Sequence, residues 1–177
     1  MCGPETNNKQ TGTSNCARRA LLKEAAMIEG VGTRKLNLIS DERGYLMEML
    51  RSDWKEFDKV GQVYVTAVYK GVVKGWHYHK IQTDRFICLQ GMAKVVLYDS
   101  RPESSTYGRI NEFFMGEKNP LLLVIPPMVM HGFKGIAGDT TLIVNVPTEL
   151  YNYSAPDEHR LPYDTDQIPY DWGIKMG

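Results

Sequence analysis

Short runs of apolar and β-branched residues, separated by turn residues, dominate the chain from Arg34 onward. Residues 60–69 are rich in Val, Tyr and Thr, the composition that β-strands favour. The same pattern recurs at residues 85–89, 93–98, 110–115, 121–125 and 141–146. Turn residues fill the gaps at 90–91, 100–108, 116–120 and 135–139. Many short strands at this spacing predict an all-β fold, either a double-sheet jelly roll or a barrel.

The two ends of the chain differ from this middle part. Residues 1–19 are polar and without periodicity, so we expect a disordered leader. Residues 20–28 predict a short helix, which Gly30 and Gly32 would end. Residues 151–172 are rich in Pro, Tyr and Asp and predict an irregular C-terminal cover. The chain has 177 residues, so we expect a single domain over 20–177 after the leader.

Charge and composition exclude some classes of binding partner. The 21 basic and 21 acidic residues give a formal net charge of zero, so no electrostatic footprint favours a nucleic acid or an anionic membrane. Apolar runs fall short of the roughly 18 residues that a membrane span needs. Cys2, Cys16 and Cys88 have no paired spacing and are expected to be free thiols in a reducing compartment. We therefore predict a cytoplasmic protein.

Three of the four histidines fall in one two-part pattern. The first part is GWHYH at residues 75–79, and the second is PPMVMHGF at residues 126–133. On a strand, His77 and His79 would project to the same side, and Trp76 would face away from them and be buried. The pattern is typical of a small β-barrel whose mouth holds inward-pointing histidines, and this mouth is the candidate site.

Five segments stand in order along the chain: DERGYLME at 41–48, VVKGWH at 72–77, STYG at 105–108, IPPMVMHGF at 125–133, and residues 153–158 followed by DW at 171–172. Their order and spacing, from about Leu38 to Trp172, resemble the cupin-fold nucleotide-sugar 3,5-epimerases typified by dTDP-4-dehydrorhamnose 3,5-epimerase. The resemblance implies a cupin jelly roll, a homodimer and an isomerase that needs no cofactor.

The resemblance also implies a reaction. A 4-keto-6-deoxy sugar has acidified protons at C3 and C5, and a neutral imidazole can remove one to give an enolate. An acid on the opposite face then returns a proton with inverted configuration. The resemblance makes His77 the base, and Tyr64 or Tyr153 is the candidate acid. The expected substrate is a dTDP- or CDP-linked sugar of deoxysugar biosynthesis, in a pathway to surface polysaccharide, such as lipopolysaccharide, or to a decorated metabolite.

Further residues are assigned to substrate binding by the same resemblance. Arg43 would reach the pyrophosphate across the dimer interface, because a guanidinium matches phosphate geometry. Lys74 stands where the family has an arginine on the phosphate side. The whole set expected to contact substrate is Arg43, Glu48, Gln62, Lys74, His79, Asp84, His131, Phe133, Asn145 and Tyr151.

The chain departs from the family pattern at several of these positions. Asp84 replaces a lysine that stabilises the enolate, and Asn145 replaces the acid tyrosine. Tyr64 replaces an asparagine on the strand face of Gln62, where it offers a phenol from a different wall. The aspartate that pairs with the base in many family members lies in a C-terminal segment that has no counterpart here. Since the proton relay has lost members, we expect epimerisation at one centre rather than two.

Two other functions stay open at this point. His77, His79, Asp84 and His131 fall where metal cupins carry three histidines and a carboxylate, so they would suit a divalent metal in an isomerase or a dioxygenase. Alternatively, the chain is a sugar-nucleotide binding module that kept the pocket without the reaction.

Overall fold

The computed structural model describes residues 26–174, and the chain there consists of strands and irregular segments. The strands are β1 (Gly32–Lys35), β2 (Ile39–Asp41), β3 (Gly44–Leu46), β4 (Tyr64–Tyr69), β5 (Val73–Tyr78), β6 (Asp84–Asp99), β7 (Ile110–Gly116), β8 (Leu121–Ile125), β9 (Val129–Asn145) and β10 (His159–Arg160). The predicted all-β class is confirmed, since no helix occurs among these residues.

Some predictions lie outside the described residues. They are the leader at 1–19, most of the helix predicted at 20–28, and Cys2 and Cys16. The described part of that segment, residues 26–28, has no regular structure. Within 26–174, no helix has the length and apolarity that a bilayer crossing requires.

The main sheet has eight strands, with the path β1-β8-β6-β9-β5-β10. Two further strands join this path at the sides, β4 against β9 and β7 against β6. Every strand pair is antiparallel. Strands β2 and β3 form a separate hairpin. Sequence neighbours are seldom sheet neighbours, which is the crossed connectivity of a jelly roll.

The two longest strands run through segments that the sequence predicts as turns. Residues 90–91 lie within β6 and residues 135–139 within β9. Register shifts, which mark β-bulges, fall between Cys88 and Ala93. Gly91 has a φ of 71°, and a Cβ there would lie 2.8 Å from the Ala137 carbonyl oxygen. The turn residues therefore bend a continuous strand, as bulges do at sheet corners, instead of ending it.

Alternate residues of the same strands are buried on both faces of the sheet. Phe86, Leu123 and Ile143 join the cluster inside the barrel. Their neighbours Ile87 and Leu122 join a second cluster on the outer face, covered by residues between 36 and 54. Burial on both faces explains why these strands show continuous apolar runs rather than an alternating pattern.

A third cluster lies under the C-terminal segment. Trp76 and Val96 pack there with Ile168 and Trp172, and all four are buried. The predicted irregular cover is confirmed, apart from the two residues of β10. Trp76 faces away from His77, as the alternation of a strand requires.

Candidate active site

A cleft of about 1040 Å³ opens between β4, β5, β9, the start of β6 and residues 149–161. Ligand pockets commonly measure about 300–1,000 Å³, so this cleft has room for a ligand the size of a nucleotide sugar. The predicted site residues that line it are Gln62, Tyr64, Lys74, His77, His79, Asp84, His131, Phe133, Tyr151 and Tyr153. Arg43, Glu48 and Asn145 lie outside this lining.

His77 lies on β5 directly opposite His131 on β9, with ring centroids 6.3 Å apart. Its Nδ1 is 3.4 Å from the carboxylate of Glu158. Burial, reinforced by His131, lowers the pKa of His77 to about 4. The imidazole is therefore neutral near pH 7, the state in which a histidine can accept a proton.

His79 and His131 both direct Nε2 at one oxygen of Asp84. Each Nε2 is 3.2 Å from the Asp84 Oδ2. Burial of Asp84 opposes its ionisation, but the two histidines outweigh burial and hold the pKa of this carboxyl below its usual range. For His79 burial also acts against the charge, and Asp84 with Asp157 outweighs it, so the pKa of His79 is raised.

The other oxygen of Asp84 has its own partners. Gln82 Nε2 donates to Oδ1 at 2.7 Å, and Asn145 Nδ2 donates to the same oxygen at 2.8 Å. Asp84 is 1% exposed, so both of its oxygens are fixed inside the protein. The carboxylate is held in one orientation, with Oδ2 turned toward the histidines.

Asn145 links this carboxylate to Tyr64. Its Nδ2 also donates to the Tyr64 hydroxyl, at 2.9 Å. Asn145 is fully buried behind the cleft wall, on β9 directly opposite Tyr64 on β4. Burial, mainly, raises the pKa of Tyr64, so the phenol stays protonated near neutral pH.

Flat and cationic surfaces complete the cleft. Phe133 packs edge to face on Phe86, with ring centroids 5.9 Å apart. Lys74 Nζ donates to the Thr66 hydroxyl at 3.1 Å. Tyr151 and Tyr153 contact each other with ring centroids 5.0 Å apart, and Tyr153 is 89% exposed.

Arg43 and Glu48 lie away from this cleft within one chain. Arg43 is at the turn of the β2–β3 hairpin and pairs with Asp41 at 2.5 Å. Glu48 pairs with Arg51 at 2.6 Å. Both residues are exposed, so they can contribute to a substrate site only where a second chain brings them close.

Three residues at the site were not identified from the sequence: Gln82, Asp157 and Glu158. The Asp157 carboxylate accepts hydrogen bonds from the backbone N–H groups of residues 80–82, and its carbonyl oxygen accepts one from His79 Nδ1. Glu158 contacts His77. Asp157 and Glu158 belong to the 153–158 segment that resembles the family pattern, but the sequence does not show that this segment reaches β5.

Two glycines let β5 and β9 approach closely beside the paired histidines. A Cβ at Gly75 would lie 2.9 Å from the Gly132 Cα, and a Cβ at Gly132 would lie 3.1 Å from the Trp172 ring. A side chain at Gly75 would collide with the β9 backbone, and one at Gly132 would press on the Trp172 ring. Glycine in the G-x-H and H-G-F motifs therefore sets the distance between His77 and His131.

Fold and site together define a class, a jelly-roll protein with histidines and carboxylates in an open cleft. Comparison with known proteins identifies the family within that class. The sequence model of the family described as dTDP-4-dehydrorhamnose 3,5-epimerase matches residues 25–177. The chain belongs to this family, and it is an isomerase by class.

Individual relatives agree. The chain is 43% identical over 151 residues to a probable low-salt glycan biosynthesis epimerase of Haloferax volcanii, covering 84% of this chain and 97% of the relative. It is 42% identical to a spore coat polysaccharide biosynthesis protein of Bacillus subtilis strain 168, over 85% of this chain and 99% of the relative. A crystal structure of a dTDP sugar isomerase from Desulfovibrio desulfuricans G20 superposes with a TM-score of 0.78 and 34% identity, covering 82% and 92% of the two chains. The predicted cupin-type epimerase family is confirmed.

Proposed function

We propose that this protein epimerises a nucleotide-linked 4-keto-6-deoxy sugar at a carbon next to the keto group, through an enolate. The observation that carries the proposal is the environment of His77. It combines a cleft large enough for the substrate with a carboxylate on one ring nitrogen. The description of the family names a dTDP-linked sugar, and this supports a nucleotide sugar as the ligand.

His77 is the base in this proposal. Its Nδ1 lies 3.4 Å from the Glu158 carboxylate, and in this scheme that carboxylate keeps the proton on Nδ1. Nε2 then carries the lone pair that removes a proton from the sugar. Glu158 does not touch the substrate in this scheme. It orients the imidazole and stabilises the imidazolium that forms.

Tyr64 is the preferred acid over Tyr153. Asn145 donates to the Tyr64 oxygen, which leaves the phenolic proton free to be donated into the cleft. Tyr153 is 89% exposed, so water competes for its hydroxyl. Among the described residues, Tyr64 is the phenol that Asn145 links to Asp84. A single positioned acid can return a proton at one carbon, so we propose inversion at one carbon only.

We further propose that two copies of the chain form the working unit. Ile39, Leu46, Val63 and Val65 are each about 60% exposed, on or beside the β2–β3 hairpin and β4. Within the described residues, β4 pairs along one edge only. A second copy covering this surface would bury the apolar side chains and bring Arg43 toward a neighbouring cleft.

The biological setting follows from the relatives. Their names place them in glycan and spore-coat polysaccharide synthesis, and we propose a deoxysugar for a surface polysaccharide as the product here. Cys88 is a buried free thiol, which suits a reducing compartment such as the cytoplasm.

Solvent deuterium uptake tests the proposal. Purified protein is incubated with dTDP- or CDP-linked 4-keto-6-deoxyglucose in heavy water, and the sugar nucleotide is weighed by mass spectrometry. We expect a gain of one mass unit. In His77→Asn the rate should fall by about 10²- to 10⁴-fold, the usual contribution of general base catalysis.

The control variant is His159→Asn, which changes a histidine that stacks on Tyr78 and is absent from the cleft lining. Its rate should stay near that of the wild type. Full activity in His77→Asn would contradict the proposal, and so would tight binding of both sugar nucleotides without any uptake, which indicates a binding module.

A further inference from the structure

Three side chains of types that can bind a metal lie close together inside the cleft. The ligand atoms of His79, Asp84 and His131 all lie within 4.8 Å of one another. Asp84 and His131 are buried, and the His79 side chain is 12% exposed. His77 stands apart from them, with its Nδ1 toward Glu158. This three-residue set is the subject of the inference.

The hydrogen bonds of the two histidines fix where their protons are. His131 Nδ1 is 3.2 Å from the Val129 carbonyl oxygen, and His79 Nδ1 is bonded to the Asp157 carbonyl oxygen. A carbonyl oxygen only accepts, so both Nδ1 atoms carry hydrogen. In the neutral ring Nε2 is then an acceptor.

When both rings are neutral, three acceptor atoms point at one another. Each Nε2 then presents a lone pair to the Asp84 Oδ2 at 3.2 Å. One extra proton relieves only one of the two contacts. A divalent cation relieves both, because it takes a lone pair from each of the three atoms.

The outer contacts are those of a metal site. Histidine ligands generally donate their second N–H to a carbonyl or a carboxylate, and ligating carboxylates are themselves hydrogen-bonded. Both histidines do so here, and Asp84 Oδ1 receives Gln82 and Asn145. Ligands bound at about 2.0–2.2 Å from a metal lie about 2.8–3.6 Å from one another. The two 3.2 Å separations fit that range.

We propose that His79, Asp84 and His131 bind one divalent first-row transition-metal ion at the wall of the cleft. Two imidazoles and one carboxylate suit Mn, Fe, Co, Ni or Zn and leave coordination positions open to the cleft. With neutral histidines and ionised Asp84, the occupied site carries a net charge of +1.

The role of the ion rests on the proposed function, but its binding does not. His131 is shared between the two halves of the cleft, 6.3 Å from the His77 ring and 5.8 Å from the His79 ring, measured between ring centroids. A cation beside the base would polarise the sugar carbonyl and stabilise the enolate oxygen as His77 removes the proton.

Metal content tests the binding directly. Untagged protein is purified without chelators and analysed by inductively coupled plasma mass spectrometry, then loaded with Mn²⁺, Co²⁺ or Zn²⁺ and dialysed. We expect about one equivalent per chain in the wild type, and at least about a tenfold loss in Asp84→Asn and His131→Gln. His77→Asn and His159→Asn are matched controls and should bind as the wild type does.

A second readout covers variants that fold poorly. Co²⁺ should give visible d–d absorption in the wild type, and Zn²⁺ should raise its melting temperature. Neither response should appear in His79→Gln, whose folding is checked by circular dichroism. Less than a tenth of an equivalent of every metal in folded wild-type protein would overturn the inference, as would equal loading of Asp84→Asn.

The two proposals fail separately. A bound metal without deuterium uptake would leave the site standing and remove the epimerase mechanism. Uptake that persists in protein shown to be metal-free would leave His77 as the base and remove the metal. Chelator-treated protein should lose at least about tenfold of its exchange rate and recover it with added metal.

Discussion

Strand β6 begins and ends with a buried aspartate, and the two carboxylates have opposite surroundings. Asp84 is 1% exposed and Asp99 is 0% exposed. Asp99 is surrounded by groups that donate: Arg101 at 2.8 and 2.9 Å, Ser104 at 2.6 Å and Thr106 at 2.5 Å. Asp84 receives donors on one oxygen only, and its other oxygen faces two histidine nitrogens.

We interpret the difference as that between a carboxylate that stabilises the fold and one that is available to a ligand. Arginine is charged at any ordinary pH, and the hydroxyls turn to suit the carboxylate, so Asp99 is satisfied without any ligand. Burial opposes its ionisation, but Arg101 and the hydroxyls outweigh burial and hold the pKa of Asp99 below the usual range. In the metal proposal, a bound cation is the partner of the second Asp84 oxygen.

Replacing each aspartate by asparagine should therefore affect different properties. Asp84→Asn should lower the deuterium-uptake rate by about 10²- to 10³-fold, because the proposed metal ion, which would stabilise the enolate, loses its carboxylate ligand. Asp99→Asn should leave that rate within about a factor of three of the wild type, since it lies at the far end of the strand from the cleft. Both rates are measured well below the melting temperature of the variant. Equal losses in the two variants would remove the distinction.

The free energy of unfolding should fall more in Asp99→Asn than in Asp84→Asn. Asp99→Asn places an amide N–H₂ against Arg101 and leaves that cation without its charge partner, which should lower the free energy of unfolding by about 3–5 kcal/mol. Asp84→Asn presents an N–H donor to a neutral histidine Nε2, so the metal-free variant should lose less than about 1 kcal/mol. Urea unfolding in the presence of a chelator measures both, and a larger loss at position 84 than at 99 would contradict the comparison.

Glu158 is intermediate between Asp99 and Asp84, because it contacts both a histidine and an arginine. It contacts one titratable group, His77 at 3.4 Å, and one permanent cation, Arg160 at 2.7 Å. Glu158→Gln keeps the shape but removes the negative charge that stabilises the imidazolium. We expect the rate to fall about 10- to 100-fold with little change in KM, as for an outer partner of a working group. A change confined to KM would instead make Glu158 a substrate contact.

Lowering the pH should reduce the difference in unfolding free energy between the wild type and Asp99→Asn. Because the pKa of Asp99 is depressed in the folded protein, its contribution is present above the unfolded value of about 4 and is lost as the pH falls through the folded value. Wild type should therefore approach Asp99→Asn in unfolding free energy between pH 4 and pH 2. Urea titrations at pH 7, 4 and 2.5 test this, and a gap that stays constant would assign the effect to packing.

Local periodicity was enough to predict several features of the site. The spacing of His77 and His79 predicted that both face the cleft and that Trp76 faces away, and both line the cleft with Trp76 buried behind them. Arg85, next to Asp84, points away from the cleft and donates to the Glu56 carbonyl at 2.7 Å. Each of these follows from the alternation of side chains along one strand.

Features that depend on strand pairing were beyond the sequence. Gly91 bends β6 instead of ending it, because bulges let a turn residue stay inside a paired strand. The contact of Glu158 with His77 depends on β10 pairing with β5, a two-residue match without a pattern of its own. The link between Asn145 and Tyr64 depends on the register of β4 and β9.

The packing of Trp172 against Gly132 has a consequence for the order of folding. His131 stands next to Gly132, and the carbonyl oxygen of Trp172 accepts a bond from Lys134 at 2.8 Å. The wall that carries His131 thus rests on residues synthesised about forty positions later. During translation, the wall that carries His131 should therefore be completed only after the C-terminal segment has been synthesised.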